Sequence, residues 1–207
     1  MSDYTTLVAT LNRCAERARE GNLTLGQVLD SIEEAAFAFI CIIMALPFLQ
    51  PLTLGPLSVI GGLTFAVLGW QLFRGHPTPM LPERARNAVI GHKTWDILIG
   101  ICLKILGWCR RFTKPRYSYW VTGDKGRQIS GLTIMAGGLL MAIPAFGLPF
   151  NNLIPALAIF FVCVAELEQD GLLVFVAFGW LIATVLYFIV AFALVWFLGE
   201  EALSFFT

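Results

Sequence analysis

Three acidic residues that follow a long apolar segment are the first candidates for chemistry in this sequence. Glu166, Glu168 and Asp170 come directly after an uncharged run that ends at Ala165. If one helix continues through them, Glu166 and Asp170 lie on one face, where two carboxylates repel each other unless a cation, a proton or an arginine intervenes. The spacing indicates a site for proton or cation coupling, or alternatively a solvated acidic cap between two membrane segments.

Amide side chains in two proline-rich segments are the second set of candidates. Asn151 and Asn152 lie in AIPAFGLPFNN, and Gln50 lies in MALPFLQPLTLGP. An amide both donates and accepts hydrogen bonds, so these residues could bind a polar headgroup or a sugar, or satisfy carbonyls that the prolines leave unpaired. The candidate binding residues are Gln50, Gln71, Arg74, Asn151, Asn152, Glu166, Glu168 and Asp170.

Recognisable catalytic motifs are missing from the sequence. It contains no GxSxG, HExxH, P-loop or GxGxxG element, and its five cysteines have neither CxxC nor zinc-site spacing. His76 and His92, the two histidines, both lie in a basic loop. We therefore expect no enzyme, no cofactor and no metal site.

Composition indicates the environment in which these residues must work. The chain is 57% hydrophobic and 14% charged, with a mean hydropathy of +0.76, which predicts an all-α integral membrane protein. Eleven of its fourteen Lys and Arg residues fall between Arg74 and Arg127, and none follows residue 127. With a formal net charge of zero, we expect no nucleic-acid partner.

Two uncharged runs, residues 35–73 and 128–165, carry the amides, and both are interrupted by prolines. In the first run the prolines leave an arm of 12 residues, which as a helix reaches only about 18 Å against a hydrocarbon core of about 30 Å. Either this arm borrows length from residues 25–34, or the run forms a re-entrant hairpin that turns inside the bilayer. A third possibility is that the prolines end ordinary hairpins at the membrane surface. The predicted hinges are Pro47, Pro56, Pro144 and Pro155.

The two runs also echo each other. The sequence MALP at residues 44–47 returns as MAIP at residues 141–144, and in both runs a turn rich in proline and glycine follows. This similarity predicts two related halves, each with a broken hairpin and a further helix. Gly62 and Gly69, like Gly131 and Gly138, are spaced seven residues apart, which permits close helix contacts.

The segment between the halves decides their relative orientation. In residues 94–112, Asp96, Gly100, Lys104, Gly107 and Arg111 share one helical face, so this helix could lie in the interface or cross with its polar stripe toward the bundle. If it crosses, the halves are inverted; if it lies flat, they are parallel. We favour the inverted repeat that is common in transporters, although the positive-inside rule argues for the flat helix.

These features divide the chain into five regions. They are N-terminal amphipathic helices (1–34), a first broken hairpin (35–73), a basic loop with an amphipathic or membrane helix (74–127), a second broken hairpin (128–170) and a transmembrane helix (171–199).

Several segments of the chain resemble the ExoD family of bacterial exopolysaccharide-synthesis membrane proteins. The resemblance covers about residues 21–198 and depends on LTLGQVLDSIEEAAF, MALPFLQPLTLGPLSVIGG, WQLFRG followed by PMLP, and LPFNNLIPALAIFF running into ELEQDG. It implies a multi-pass protein of the bacterial inner (cytoplasmic) membrane that is needed for normal exopolysaccharide production and for tolerance of alkaline conditions. The family offers no established catalytic residues to carry over.

From the residues and the resemblance together we expect a transporter-like or lipid-carrier-handling protein with proton or cation coupling. The alternative is a non-transporting protein that stabilises or regulates a polysaccharide synthase complex. Expected partners are membrane lipids, a lipid-linked saccharide or small ion, and a second copy of the chain in a homodimer, because 207 residues hardly enclose a path alone.

Overall fold

The computed structural model describes residues 9–14, 16, 24–51, 54–89, 91–109, 113–114, 116–145 and 147–204. All named secondary-structure elements in these residues are helical, as predicted. The α-helices are α1 (Leu25–Ile32), α2 (Ala36–Ala45), α3 (Pro56–Phe73), α4 (Glu83–Arg86), α5 (His92–Cys109), α6 (Gly123–Met141), α7 (Leu153–Glu168) and α8 (Gly171–Ser204). Short 3₁₀ turns occur at Glu33–Ala35, Leu46–Phe48 and Ser118–Trp120.

Helices α3 and α6 pack backbone against backbone at two pairs of glycines. A Cβ placed on Gly69 lies 2.6 Å from the carbonyl oxygen of Gly131, and one placed on Gly131 lies 2.7 Å from that of Gly69. Gly62 and Gly138 face each other in the same reciprocal way, at 2.6 Å in both directions. The predicted close contact is confirmed, and because the later glycine of one helix meets the earlier glycine of the other, the two helices are antiparallel.

Contacts at both ends fix the directions of α7 and α8. The Trp120 ring, which precedes α6, packs on Phe175 of α8 at 5.3 Å. Sixteen residues from the start of α8, the Tyr187 hydroxyl donates to the carbonyl oxygen of Pro149, in the segment that follows α6. Helix α8 therefore runs parallel to α6, and α7, which returns from that segment to the start of α8, runs antiparallel to both.

The bundle consequently has two different ends. At one end, here called the charged end, lie the last turn of α3, residues 113–114 and 116–122, the start of α6 and the junction of α7 with α8. At the other, here called the turn end, lie the described residues of segments 46–55 and 142–152. The Phe48 ring contacts Gly61 in α3, which keeps the first turn at this end.

These directions argue against an inverted repeat. In the sequence repeat, α3 follows the first proline-rich turn as α7 follows the second. Both helices run from the turn end to the charged end. The chain between α3 and α6 also starts and finishes at the charged end, so α5 cannot be a single crossing from one end to the other. The expected inversion is therefore not observed, and the described contacts favour the parallel alternative.

Helix α5 presents an apolar face to the bundle. Trp95 and Ile99 are buried, whereas Gly100, Lys104 and Gly107 of the predicted polar stripe are exposed. The polar stripe therefore points away from the bundle rather than into it. Arg111, the last member of that stripe, lies outside the described residues.

The first hairpin begins with a helix too short to cross a membrane. Helix α2 has 10 residues, about 15 Å of rise, and most of its side chains are buried. It does not borrow length from α1, because Glu33 has a φ of +43° and a 3₁₀ turn separates the two helices. Thr24 caps α1 in a capping box with Gln27, which the Thr-x-x-Gln spacing in the sequence predicts.

The predicted hinge prolines lie at helix boundaries. Pro47 is in the 3₁₀ turn after α2, and Pro56 is the first residue of α3. Pro144 follows the end of α6, and Pro155 is in the first turn of α7. The first turn tolerates proline because its N–H groups have no intrahelical partner.

Two described helices are long and apolar enough to cross a membrane. They are α3 and the Gly171–Phe197 part of α8. An outward stripe of α3 exposes apolar side chains at Leu57, Ile60, Leu63, Val67 and Trp70.

The glycine contacts predict opposite effects of the same substitution at two sites. Alanine at Gly69 meets the α6 backbone and should destabilise the fold by about 1–3 kcal/mol. Alanine at Gly179 meets open space in α8 and should be neutral or stabilising by up to about 1 kcal/mol, because alanine favours helix. Thermal unfolding of both variants in detergent measures the difference, and equal melting temperatures would contradict the packing.

Candidate functional site

Asn151 is buried in the second turn and holds that turn together. It is 2% exposed, and its side-chain Nδ2 donates to the carbonyl oxygen of Ala145 at 3.0 Å. The residue thus fulfils one role predicted from the sequence, since it satisfies a carbonyl freed by the proline-rich break. Its Oδ1 has no hydrogen-bond partner among the described residues.

Asn152 is buried without any such role. It is 1% exposed and precedes α7 as the N-cap residue, yet its side chain makes no capping hydrogen bond. Neither its Nδ2 nor its Oδ1 has a partner in the described part of the chain. A buried polar group without a partner costs about 1–3 kcal/mol, so this amide is available to bind a polar guest such as a water molecule or a hydroxyl group.

The chemistry of these atoms limits what the guest can be. Asn152 offers one donor group and one acceptor, and Asn151 adds a second acceptor. A hydroxyl or a water molecule can satisfy both kinds of atom at once, whereas a bare ion satisfies only one. Gln50 lies half-buried in the first turn at the same end of the bundle.

At the charged end, Asp170 has a structural role. The Asp170 side chain is 1% exposed, and its oxygens accept from the backbone N–H groups of Leu172 at 3.0 Å and Lys114 at 3.1 Å. Arg116 adds an ion pair, with 3.3 Å between its Nε and the Asp170 Oδ1. The Gly171 N–H also donates to the Arg116 carbonyl oxygen at 2.8 Å. Asp170 therefore caps α8 and ties Lys114 and Arg116 to the α7–α8 junction.

The three acidic residues do not share a helix. Helix α7 ends at Glu168, and Gln169 adopts a left-handed conformation with a φ of +53°. The expected pairing of Glu166 and Asp170 on one face is wrong, because this break places them on different helices. The Oε2 of Glu168 accepts a hydrogen bond from the Thr113 hydroxyl at 3.4 Å, and Glu166 lies in the last turn of α7.

Gln71 and Arg74 contact their own surroundings at the end of α3. Both atoms of the Gln71 amide bond the backbone of Met80, the Oε1 at 2.7 Å and the Nε2 at 3.2 Å, which holds the following loop. The Arg74 guanidinium lies 5.8 Å from the centre of the Trp70 ring, which in turn stacks on Phe73. Of the predicted binding residues, the structure therefore brings Asn151, Asn152 and Gln50 to one end of the bundle and the rest to the other.

Tyr187 and Arg116 are the contributors that sequence reasoning missed. Tyr187 is the one phenol in the apolar run 172–198, and a phenol in such a run needs a hydrogen-bond partner. Arg116 was hidden among the other basic residues, and nothing in its spacing marks Asp170 as its partner. The described residues contain no group of three or more His, Cys, Asp or Glu that could hold a metal ion.

Comparisons with known proteins bear on this arrangement. The family model described as "Exopolysaccharide synthesis, ExoD" matches residues 7–190. Protein ExoD of Rhizobium meliloti is 27% identical over 181 residues, which cover 87% of this chain and 75% of that protein. An uncharacterised protein of Synechocystis sp. is 28% identical over 158 residues, covering 75% of this chain and 72% of that protein. No solved structure gives a significant match.

The contacts of Asp170 predict a local opening when its charge is removed. Asp170→Asn should lose about 2–3 kcal/mol of stability, because one buried charge and part of its bonding to two backbone N–H groups disappear. Cleavage by trypsin after Arg116 should become faster, whereas the bond between Lys114 and Pro115 resists trypsin in either protein. The exposed Glu83→Gln is the matched control and should change neither the melting temperature nor the cleavage rate; unchanged cleavage in the Asp170 variant would contradict the assigned role.

Proposed function

Because the chain belongs to the ExoD family of exopolysaccharide-synthesis proteins, we propose that it is an integral inner-membrane protein that supports exopolysaccharide synthesis by binding a lipid-linked saccharide at the turn end. The process is that of the family, and the unpartnered buried atoms of Asn151 and Asn152 support the choice of this site. Support comes from the depth of the turn end in the membrane, the chemistry of the site and the nature of its ligand.

Aromatic residues mark the two membrane surfaces along α8. Trp120 packs on Phe175 near the charged end, and Trp196 is 68% exposed near the far end of the helix. Between Phe175 and Trp196 the helix rises about 32 Å, which matches a hydrocarbon core of about 30 Å. Tryptophan and tyrosine are enriched at both membrane–water interfaces, so these positions are suited to flank the core.

On this scale the turn end lies inside the lipid. Tyr187, which contacts Pro149 of the second turn, is about 18 Å along α8 from Phe175 and about 14 Å short of Trp196. The proposal depends most on the part of α8 that lies beyond this level. Its side chains at residues 192–197 are all exposed and apolar, so the helix needs lipid around it well past the turns. Both hairpins then re-enter, and α8 alone makes a full crossing.

A turn at this depth must satisfy its polar groups inside the protein. Asn151 and Tyr187 each bond a carbonyl of the second turn, at Ala145 and Pro149. Asn152 makes no hydrogen bond to either carbonyl, although it is buried in the same turn. Hydrogen bonds made in such a low-dielectric site are strong, which suits the amide to hold a hydroxyl-bearing guest.

A saccharide on a lipid carrier combines the two properties that this site requires. Its hydroxyl groups both donate and accept, as the amides do, and its acyl or prenyl tail keeps it within the membrane. A soluble sugar has the first property only. A small ion lacks both and would leave part of the amide set unsatisfied.

Glu166 and Glu168 are the residues on which proton or cation coupling would depend. Asp170 is excluded from that role because its carboxylate caps α8 and pairs with Arg116. We expect Glu166→Gln to reduce growth at alkaline pH while leaving the melting temperature of the protein unchanged. Growth and exopolysaccharide yield equal to those of the unmodified protein would remove coupling from the proposal.

One observation favours the alternative of a partner-stabilising protein. The exposed apolar surface of α8 at residues 192–197 could pack against a helix of a polysaccharide synthase as well as against lipid. Substitutions on this surface of α8 distinguish the two functions. If this surface stabilises a partner, replacing Leu194 and Val195 by alanine should abolish exopolysaccharide production. If the surface faces lipid, the protein should tolerate both changes.

The decisive variant for the proposed site is Asn152→Leu. Leucine has the same branched side-chain skeleton as asparagine and removes two unpaired buried polar atoms, so the protein should keep or raise its melting temperature. Exopolysaccharide production in a strain that lacks the native gene should nevertheless be lost, because no amide remains to bind the saccharide. Normal production by a stable Asn152→Leu protein would overturn the proposal.

Asn151→Leu is the matched control. This change deletes the hydrogen bond to the Ala145 carbonyl and should lower stability by about 1–3 kcal/mol, in contrast to Asn152→Leu. The opposite signs of the two effects separate loss of a ligand contact from loss of the fold.

A further inference from the structure

We infer that the site at the turn end is reached from the outer leaflet, so that the saccharide carrier it takes has already been transferred from the cytoplasmic side. This inference rests on the proposed function and adds a direction of access to it. Three independent observations support it: the distribution of basic residues, the position of the closed core, and the exposure of the turn itself.

The basic residues orient the protein. Eleven of its fourteen Lys and Arg fall between Arg74 and Arg127, a segment that starts and finishes at the charged end, and none follows residue 127. At the opposite tip of α8 the charged residues are Glu200 and Glu201. Basic residues near membrane segments stay on the cytoplasmic side, which puts the charged end in the cytoplasm and the end of α8 outside.

Aromatic side chains next to basic groups support the charged end as a headgroup-level surface. The Arg74 guanidinium lies over Trp70, and the Lys125 Nζ lies 5.4 Å from the centre of the Tyr119 ring and donates to its hydroxyl at 2.7 Å. Such pairs combine an interfacial ring with a cation that can meet lipid phosphate.

From the cytoplasmic side the path to Asn152 is closed. A packed core of fully buried side chains lies between the charged end and the turn end, including Phe37, Phe65, Leu72, Ile134 and Ile159. The α3–α6 seam is closed by backbone contacts at its glycines. Opening this route would require separating helices that are packed along most of their length.

On the outer side, the described residues of the second turn are largely exposed. Pro144, Gly147, Pro149 and Phe150 of that turn are all exposed. Among the described residues, α8 alone continues beyond the turn level toward the outer surface, so this face of the turn is open to outer-leaflet headgroups and the water that accompanies them. The short elements beneath it favour local thinning of the bilayer, which brings outer headgroups closer to the site.

The order of the reactions follows from this geometry. A saccharide assembled on its carrier at the cytoplasmic face cannot enter the site before it crosses the membrane. The reaction that supplies the ligand is therefore a transfer of the carrier between leaflets, and the reaction that consumes it is a polymerisation or release step at the outer face.

Two cysteine variants test the direction of access. Gly147→Cys in the second turn and Gly91→Cys beside the basic loop both place the new side chain in open space. Cys14, Cys41 and Cys163 are buried and can stay, whereas Cys102 and Cys109 are replaced by serine. A membrane-impermeant maleimide is added either to intact spheroplasts or to inverted vesicles, and the folded state is checked by the melting temperature in detergent.

We expect Gly147→Cys to be labelled in spheroplasts and Gly91→Cys only in inverted vesicles. Labelling of Gly147→Cys from the cytoplasmic side, or from neither side while Gly91→Cys reacts as expected, would overturn outer access. Adding a polyprenyl-phosphate saccharide should abolish labelling at Gly147→Cys, whereas polyprenyl phosphate alone should not.

The two proposals fail in different ways. If labelling comes from outside but the saccharide carrier gives no protection and Asn152→Leu produces normal exopolysaccharide, the direction of access stands and the ligand is wrong. If the saccharide protects Gly147→Cys and labelling occurs only from the cytoplasmic side, the ligand stands and the direction is wrong.

Discussion

The backbone contact between α3 and α6 organises the whole bundle. Glycines at Gly62, Gly69, Gly131 and Gly138 allow the two helices to approach until carbonyl oxygens replace side chains at the contact. In a membrane, where lipid is as apolar as the helices themselves, such close packing is the main source of attraction between them. Because the contact is antiparallel, it also sets which ends of the helices meet, and so it separates a charged end from an uncharged turn end.

The turn end shows how polar groups are managed in an apolar environment. The second turn interrupts regular helix at Pro144, and side chains from two places supply the missing partners, Asn151 from the turn and Tyr187 from α8. Asn152 is buried beside them without a partner among the described residues, which sets it apart from its neighbour. An unpaired buried amide costs stability there, and it leaves two hydrogen-bonding atoms available at the turn end.

The unequal lengths of the helices give the protein its proposed asymmetry in the membrane. Helix α2 rises about 15 Å and α7 about 24 Å, whereas α8, with 34 residues, rises about 51 Å. The bundle therefore stops well before α8 does, and only α8 continues beyond the turns. At the other end, Asp170 fixes the start of α8 by capping it and by pairing with Arg116, so the depth of the long helix is coupled to the basic segment.

The local features of the fold could be predicted from the order of the residues alone. Hydrophobic runs gave an all-helical chain, prolines located the helix boundaries at Pro56 and Pro144, and the spacing of Thr24 and Gln27 gave a capping box. The glycine spacing also predicted a contact surface on each helix, although it did not predict which helices meet there. These features are local because proline geometry, capping and helical periodicity depend on residues within about one or two turns.

The orientation of the halves and the roles of the polar residues became clear only from contacts in the folded chain. A parallel and an inverted pair of hairpins have the same local pattern, and contacts such as Trp120 with Phe175 were needed to distinguish them. Likewise, Asn151 and Asn152 are identical neighbours in sequence but differ in their hydrogen bonds, and the spacing that was expected to place Asp170 beside Glu166 did not identify Arg116 as its partner. These roles depend on atoms brought together across tens of residues, and a spacing rule for one helix carries no information about them.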